Sequence, residues 1–91
     1  MEFEYDPAKS RSNAEKHGID FEQAKRLWDD PRRVSVPGKA SNELRFALIA
    51  EWNRKVWFAV YTFRGLKVRL ISVRRARDDE QAFYKTQNLD P

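Results

Sequence analysis

LRFALIAEW (44–52), KVWFAVYTF (55–63) and LKVRLISVR (66–74) are the stretches that decide the fold. Each is a strand-length run of aliphatic, β-branched and aromatic residues. Asn53-Arg54 separates the first from the second, and Arg64-Gly65 the second from the third. Both separators have hairpin length, and Asn and Gly tolerate left-handed backbone. The pattern predicts an antiparallel meander of three strands. Side chains alternate between faces, and cross-strand partners share a face. Two-residue turns then place Leu44, Phe46, Leu48, Ala50, Trp57, Ala59, Tyr61, Phe63, Leu66, Val68 and Leu70 on one apolar face. That is the expected core face. The other face carries Arg45, Thr62 and Lys67 in one row, Ala47, Val60 and Arg69 in the next, and Ile49, Phe58 and Ile71 in an apolar third. Arg64, in the turn, lies beside the basic end. A one-residue slip would exchange the two faces.

Arg45, Lys67, Arg69 and the neighbouring Arg64 would form a cationic cluster able to hold a phosphate and stabilise charge developing on it. The same residues could instead make surface ion pairs with Glu43 or Glu51, each contributing less than about 1 kcal/mol. Spacing alone leaves both readings open. The exposed apolar row suggests a partner.

Upstream, Glu2, Phe3, Glu4 and Tyr5 alternate acid and aromatic, as in a short strand with one buried side. Asp6-Pro7 predicts a helix start, with Asp6 as cap and Pro7 at the first position. Gly18 predicts its left-handed stop after His17. The only apolar residues inside are Ala8 and Ala14, while Lys9, Asn13, Lys16 and His17 fall on one face. A helix without an apolar stripe is peripheral or faces something polar. A second helix begins at Asp20, with Gln23 completing a capping box. Phe21, Ala24, Leu27 and Trp28 give it an apolar stripe, and Asp29-Asp30-Pro31 ends it. Residues 32–42 read as loop, with a short strand at Arg33–Val36. A third helix is expected over Ala76–Gln87, its acids Asp78, Asp79 and Glu80 favoured by the helix dipole. Phe83 and Tyr84 would anchor it, and residues 88–91 would fray.

The fold class is therefore α+β, in a single domain over 1–91: two N-terminal helices on an antiparallel sheet, with a C-terminal helix. The chain's 91 residues include 18 Lys plus Arg against 14 Asp plus Glu, a net charge of +4. Eleven of the bases are Arg, whose planar fork fits phosphate. The distribution says more than the total: 64–77 holds Arg64, Lys67, Arg69, Arg74, Arg75 and Arg77 and no acid. Such a stripe is the footprint of a polyanion; bases along a strand also discourage edge-to-edge aggregation.

The chain has no Cys, which excludes disulfides and thiol chemistry and fits a reducing cytoplasm. The acidic start MEFEYDP lacks the apolar region of a secretory signal, and no apolar run is long enough to cross a membrane. No recognisable metal-ligand set or glycine-rich phosphate loop is present, so any enzyme here is expected to work without metal or cofactor. His17, the only His, is a candidate for proton transfer. A His at a helix C-terminus also interacts favourably with the dipole, which explains it without chemistry. Two classes of function fit: an enzyme that holds a phosphate and stabilises charge on it, or a non-catalytic module that binds an acidic protein or nucleic acid.

FEYDPAKSRSNAEKHGIDFEQA (3–24) and VYTFRGLKVRLISVRRA (60–76), followed by Glu80 and Tyr84, resemble the two signatures of the BrnT family of type II toxins. Glu43 and Arg45 match the charged lead into the family's first long strand. Ala50 departs from a Gly common in relatives, and Tyr5 replaces a frequent Trp while keeping its packing role. The resemblance implies a RelE-like fold and a ribonuclease that blocks translation. It also implies neutralisation by a BrnA-like ribbon-helix-helix antitoxin in a hetero-oligomer, with operator DNA bound only through that antitoxin. In the implied reaction the 2′-OH attacks the adjacent phosphate. Arg64 and Arg69 would hold that phosphate, Lys9 matches the family's Lys, and His17 would move a proton. Arg45, Lys67, Arg74 and Arg75 would bind the RNA backbone.

Overall fold

The computed structural model describes residues 1–38 and 43–88; the expected loop at 39–42 and the tail at 89–91 lie outside them. The elements run β1 (Glu2–Glu4), α1 (Pro7–His17), α2 (Phe21–Ala24), a 3-10 helix (Lys25–Asp29), β2 (Val34–Pro37), β3 (Phe46–Trp52), β4 (Lys55–Arg64), β5 (Lys67–Arg75) and α3 (Asp78–Gln87). The class is α+β. The sheet has five strands in the order β1-β5-β4-β3-β2. It is mixed where an antiparallel one was expected, because β1 lies parallel to β5, Glu2 opposite Lys67 and Glu4 opposite Arg69. No hairpin joins these two strands, so nothing forces them to run in opposite directions.

β3 and β4 pair as the sequence dictates, Ala47 opposite Val60 and Ile49 opposite Phe58. Asn53 and Arg54 both take positive φ, at 55° and 64°, the conformation that fits the twist of a tight hairpin. The second hairpin differs. Its central pair is Gly65-Leu66, and Arg64 opposes Lys67. Gly65 has φ of 60°. A mirror-image turn of this kind wants glycine first in its central pair, which moves the turn one residue on. Every partner on β5 as far as Leu70 therefore shifts by two. Faces are preserved, but Thr62 now sits opposite Arg69, where Lys67 was expected.

A register shift between Val60 and Tyr61 then breaks the alternation. Val60 opposes Ser72, Phe58 opposes Arg74 and Trp57 opposes Arg75. Ile71 becomes the extra residue of a bulge, so the predicted row of Ile49, Phe58 and Ile71 does not form. Nor is that end of the second face bare: Ile49 is 3% exposed and Ala47 2%, and α3 contacts β3.

The core lies on the first face. Leu48, Ala50, Trp57, Ala59, Tyr61, Val68, Leu70 and Val73 pack there against Ile19, Phe21, Ala24 and Leu27. Three residues assigned to this face are outside the core: Leu44, Phe63 and Leu66 are 76%, 50% and 95% exposed. They sit at the sheet end beside the β4–β5 turn. The second helix is a single α turn that tightens into the 3-10 helix. Its capping box is present: Gln23 N–H donates to Asp20 and Asp20 N–H to the Gln23 side chain, at 2.7 and 3.0 Å. α3 starts at Asp78, two residues later than expected, and Arg77 N–H donates to Glu80.

Candidate active site

α1 holds its place through polar contacts. Asp6 accepts from Ala8 N–H at 2.8 Å, and Gly18, at φ 76°, stops the helix. Ser10 and Asn13 are the buried residues of this helix. Ser10 Oγ accepts from Phe21 N–H at 2.9 Å. Asn13 Nδ2 donates to the carbonyls of Ile19 and Val73 at 2.8 and 2.9 Å, and its Oδ1 accepts from Val73 N–H at 3.1 Å. β1 pairs β5 only over Lys67–Arg69, so Asn13 substitutes for the missing strand at Val73.

This docking points the rest of the polar stripe toward β5. Lys9, Ser12, Asn13, Lys16 and His17 line one small pocket with Ile71 and Ser72. Lys9 and His17, both singled out from sequence, are thus brought together. Lys16 and Ser72 complete the group. Lys16 was legible on the stripe, whereas Ser72 reaches the pocket only because of the bulge. None of Lys9, Lys16 and His17 makes an ion pair among the described residues. Ile71 and Ser72 also line a neighbouring cleft of about 500 Å³ that includes Arg45, Phe58, Val60, Arg74, Arg77 and Glu80. Arg45 and Arg74 therefore share a cleft adjoining the Lys9–His17 pocket.

The remaining expected cations are placed elsewhere. Arg69 pairs with Glu4 at 2.7 Å, an acid supplied by β1. Arg45 lies 3.7 Å from Glu43. The ion-pair reading thus holds for Arg45 and Arg69, with Glu4 as the partner sequence missed. Arg64 and Lys67 face each other across the hairpin end, exposed and without an ion pair among the described residues. Lys67 stands five positions from Ser72 along β5, about 17 Å at the usual rise. Arg64, Lys67 and Arg69 stay on one face in adjacent rows, with Arg64 opposite Lys67 and Thr62 opposite Arg69, and the Lys9–His17 group is a separate centre.

Arg74 is tied down. It makes two bonds to Glu80, at 2.8 and 2.9 Å, and its guanidinium lies 4.3 Å from the Phe58 ring centre. The Arg74 guanidinium holds the Glu80 carboxyl below its usual range, against the opposing effect of burial. Arg75 lies over Trp57, 5.6 Å from the ring centre. Among the described residues, no three His, Asp or Glu side chains gather as a metal-ligand set. No described helix is long and apolar enough to cross a membrane.

A comparison with protein-family models matches residues 5–80 to the ribonuclease toxin BrnT of type II toxin–antitoxin systems. The chain belongs to the BrnT family. A search of curated proteins finds no match to it. The BrnT match spans both halves of the candidate site, from Lys9 on α1 to Ser72 on β5. Membership makes the chain a type II toxin with ribonuclease activity, whose RNA substrate suits a surface of exposed Lys, Arg and His.

Proposed function

We propose that this BrnT toxin is a metal-independent endoribonuclease of RelE-like fold that arrests translation in the cytoplasm by cutting RNA. The observation that carries the reading is the gathering of Lys9, Lys16 and His17 beside Ser72 in a member of a ribonuclease family. RNA supplies its own nucleophile. The 2′-OH oxygen bonds to the adjacent phosphorus and the bond to the 5′ oxygen breaks, leaving a 2′,3′-cyclic phosphate and a 5′-OH. His17 takes the 2′-OH proton, and water protonates the departing 5′ oxygen. Lys9 stabilises the charge on the non-bridging oxygens, a contribution on the order of 10²–10³ in rate for one well-placed donor. Arg64 and Arg69 hold phosphates farther along the strand, Arg69 with its guanidinium oriented by Glu4. Arg45, Lys67, Arg74 and Arg75 complete the backbone track. A BrnA-like ribbon-helix-helix antitoxin neutralises the toxin in a hetero-oligomer, and only the antitoxin contacts operator DNA.

The test is inducible expression of wild type beside Lys9→Ala, following RNA integrity and amino-acid incorporation. Wild type should fragment RNA and stop protein synthesis, and the variant should do neither. Steeply salt-dependent RNA binding with RNA left whole would instead favour a non-catalytic module.

A further inference from the structure

The strand register builds a slot on the second face of the sheet. Val36 opposes Ala47, Ala47 opposes Val60 and Val60 opposes Ser72, so a row of short side chains crosses four strands. In the next row Ile49 opposes Phe58, and Phe58 opposes Arg74. The short row lines the cleft of about 500 Å³ together with Phe58 and Arg74, and Arg45, Arg77 and Glu80 add charge to its lining. A volume of that size suits a small planar ligand. The row is apolar except at Ser72, the end that the cleft shares with the Lys9–His17 pocket.

Arg74 decides what the slot suits. Its Nη1 donates to Glu80 at 2.8 Å and to the Arg75 carbonyl at 3.1 Å, and its Nη2 donates to Glu80 at 2.9 Å. Both hydrogens of Nη1 and one of Nη2 are therefore committed inside the protein. Phe58 backs the guanidinium, with 4.3 Å between its carbon and the ring centre. Glu80 is itself held by Arg77 N–H at 2.8 Å, which fixes the plane it grips. A free fork takes phosphate; a guanidinium tied along its edge and backed on one face offers the other face for stacking. RNA presents a charged sugar–phosphate backbone and planar bases, and bases stack on aromatic rings and on guanidinium planes. An apolar floor beside such a plane fits the base.

We infer that this slot is a nucleobase subsite: the base beside the cut phosphate lies over Val60 and stacks on the Arg74 plane, opposite Phe58. This rests on the reading of the chain as a toxin that cuts RNA. Ile71 and Ser72 line both pockets, so a base seated here brings its own phosphate to Lys9 and His17. On the backbone track Arg74 is then the member that offers RNA a plane in place of a free fork, and Glu80 is its positioning residue. Every base has a π-face, so stacking is tolerant of sequence. The slot therefore requires that a base be present at one position more than it selects which base.

The test is binding of an uncleavable 2′-deoxy oligonucleotide, beside a series in which each position in turn lacks its base. For wild type, removing the base at one position should weaken binding roughly tenfold, as expected for one stacked base. Two variants of the full chain then locate that base. Arg74→Lys keeps the charge and removes the plane. Val60→Phe exchanges one strand-forming residue for a larger one and fills the slot. Each should bind the intact strand about tenfold more weakly and bind the strand lacking that base as wild type does, so the penalty for the missing base disappears. Thermal melts confirm that the variants are folded, and Val60→Phe decides alone if Arg74→Lys is not. Equal wild-type affinity across the whole series would overturn the inference, as would no binding of the intact strand. So would penalties that persist undiminished at every position in the folded variants. Binding does not depend on cleavage: a wild type that shows the penalty yet leaves RNA whole would sink the ribonuclease reading and leave the base subsite standing.

Discussion

Asn13 completes both backbone hydrogen bonds of Val73 from a helix sixty residues away in sequence. Its amide presents a donor and an acceptor in the same spacing as a neighbouring strand, and a third bond goes to the Ile19 carbonyl. This explains how an 11-residue helix with no apolar stripe docks on a sheet. It also fixes where Lys9, Lys16 and His17 stand relative to Ser72.

Asn13→Ala should therefore destabilise the fold by about 2–3 kcal/mol, because Val73 N–H and two carbonyls lose buried partners. In a domain of this size that lowers Tm by roughly 10–20 °C. Urea unfolding of the variant measures it. A loss under about 0.5 kcal/mol would mean that water replaces the amide. Asn13→Asp should also be damaging, since a carboxylate cannot donate to Ile19 and Val73.

Glu80 gives the fold a sensitivity to acid. The Arg74 guanidinium lowers its carboxyl pKa, with help from Arg77 N–H and against burial. A carboxyl depressed in the folded state contributes stability above its unfolded value, about 4.3, and loses it as pH falls through the folded value. Glu80→Gln should be less stable than wild type at pH 7 by about 1–2 kcal/mol. That gap should shrink between roughly pH 5 and pH 3. A gap independent of pH would show that the pair contributes shape and no charge linkage.

Tyr84 supplies the alkaline counterpart. Burial pushes its hydroxyl pKa up, and its 2.6 Å bond to Asp30 pushes it further. Asp30 stays below the usual carboxylate range despite burial, because Glu51 N–H, the Tyr84 hydroxyl and Arg32 N–H all donate to it. A group raised in the folded state contributes stability that is complete below its unfolded value, about 10, and lost as pH rises beyond it. Tyr84→Phe should thus flatten the loss of stability above about pH 10, followed by circular dichroism. Tyr5, raised by its bond to Glu22, keeps a residual slope.

The helix caps, the first hairpin and the core residues of α2 were legible because each depends on a few adjacent residues. Asp6-Pro7, Asp20 with Gln23, and Asn53-Arg54 all act within one turn of chain. The second face was not, because one bulge at Val60 and Tyr61 reassigns every residue beyond it. Unbroken alternation would put Arg74 on the face of Leu70; the bulge instead brings it over Phe58, beside Glu80. The same local rule could not find Glu4 beside Arg69, which needs β1 to run parallel to β5. Of the site, the Lys9–His17 stripe was readable as helical spacing, while its Ser72 neighbour was not.

Arg64 and Lys67 are exposed at the hairpin end, so replacing them should leave stability unchanged. Each Ala variant should weaken RNA binding uniformly across sequences. The slope of log K against log salt should fall by about 0.7 for each phosphate contact removed from a single strand. Binding isotherms of an uncleavable 2′-deoxy oligonucleotide at several salt concentrations measure it. An unchanged slope in both variants would remove the hairpin from the RNA track.

Lys9 and His17 make the most exacting prediction. Both are exposed side chains on α1 and line one pocket, and neither takes part in the bonds that dock the helix. Lys9→Ala and His17→Ala should keep the wild-type melting temperature and the affinity for a 2′-deoxy oligonucleotide. Single-turnover cleavage should nonetheless fall on the order of 10²–10³-fold for Lys9→Ala. For His17→Ala the fall should be about 10²–10⁴-fold, the usual range for a proton-transferring group. Effects of acting together are not additive, so the double variant should be little slower than the worse single one. If instead cleavage persists in both while Arg64→Ala abolishes it without loss of binding, the reaction belongs at the hairpin end, about 17 Å along β5.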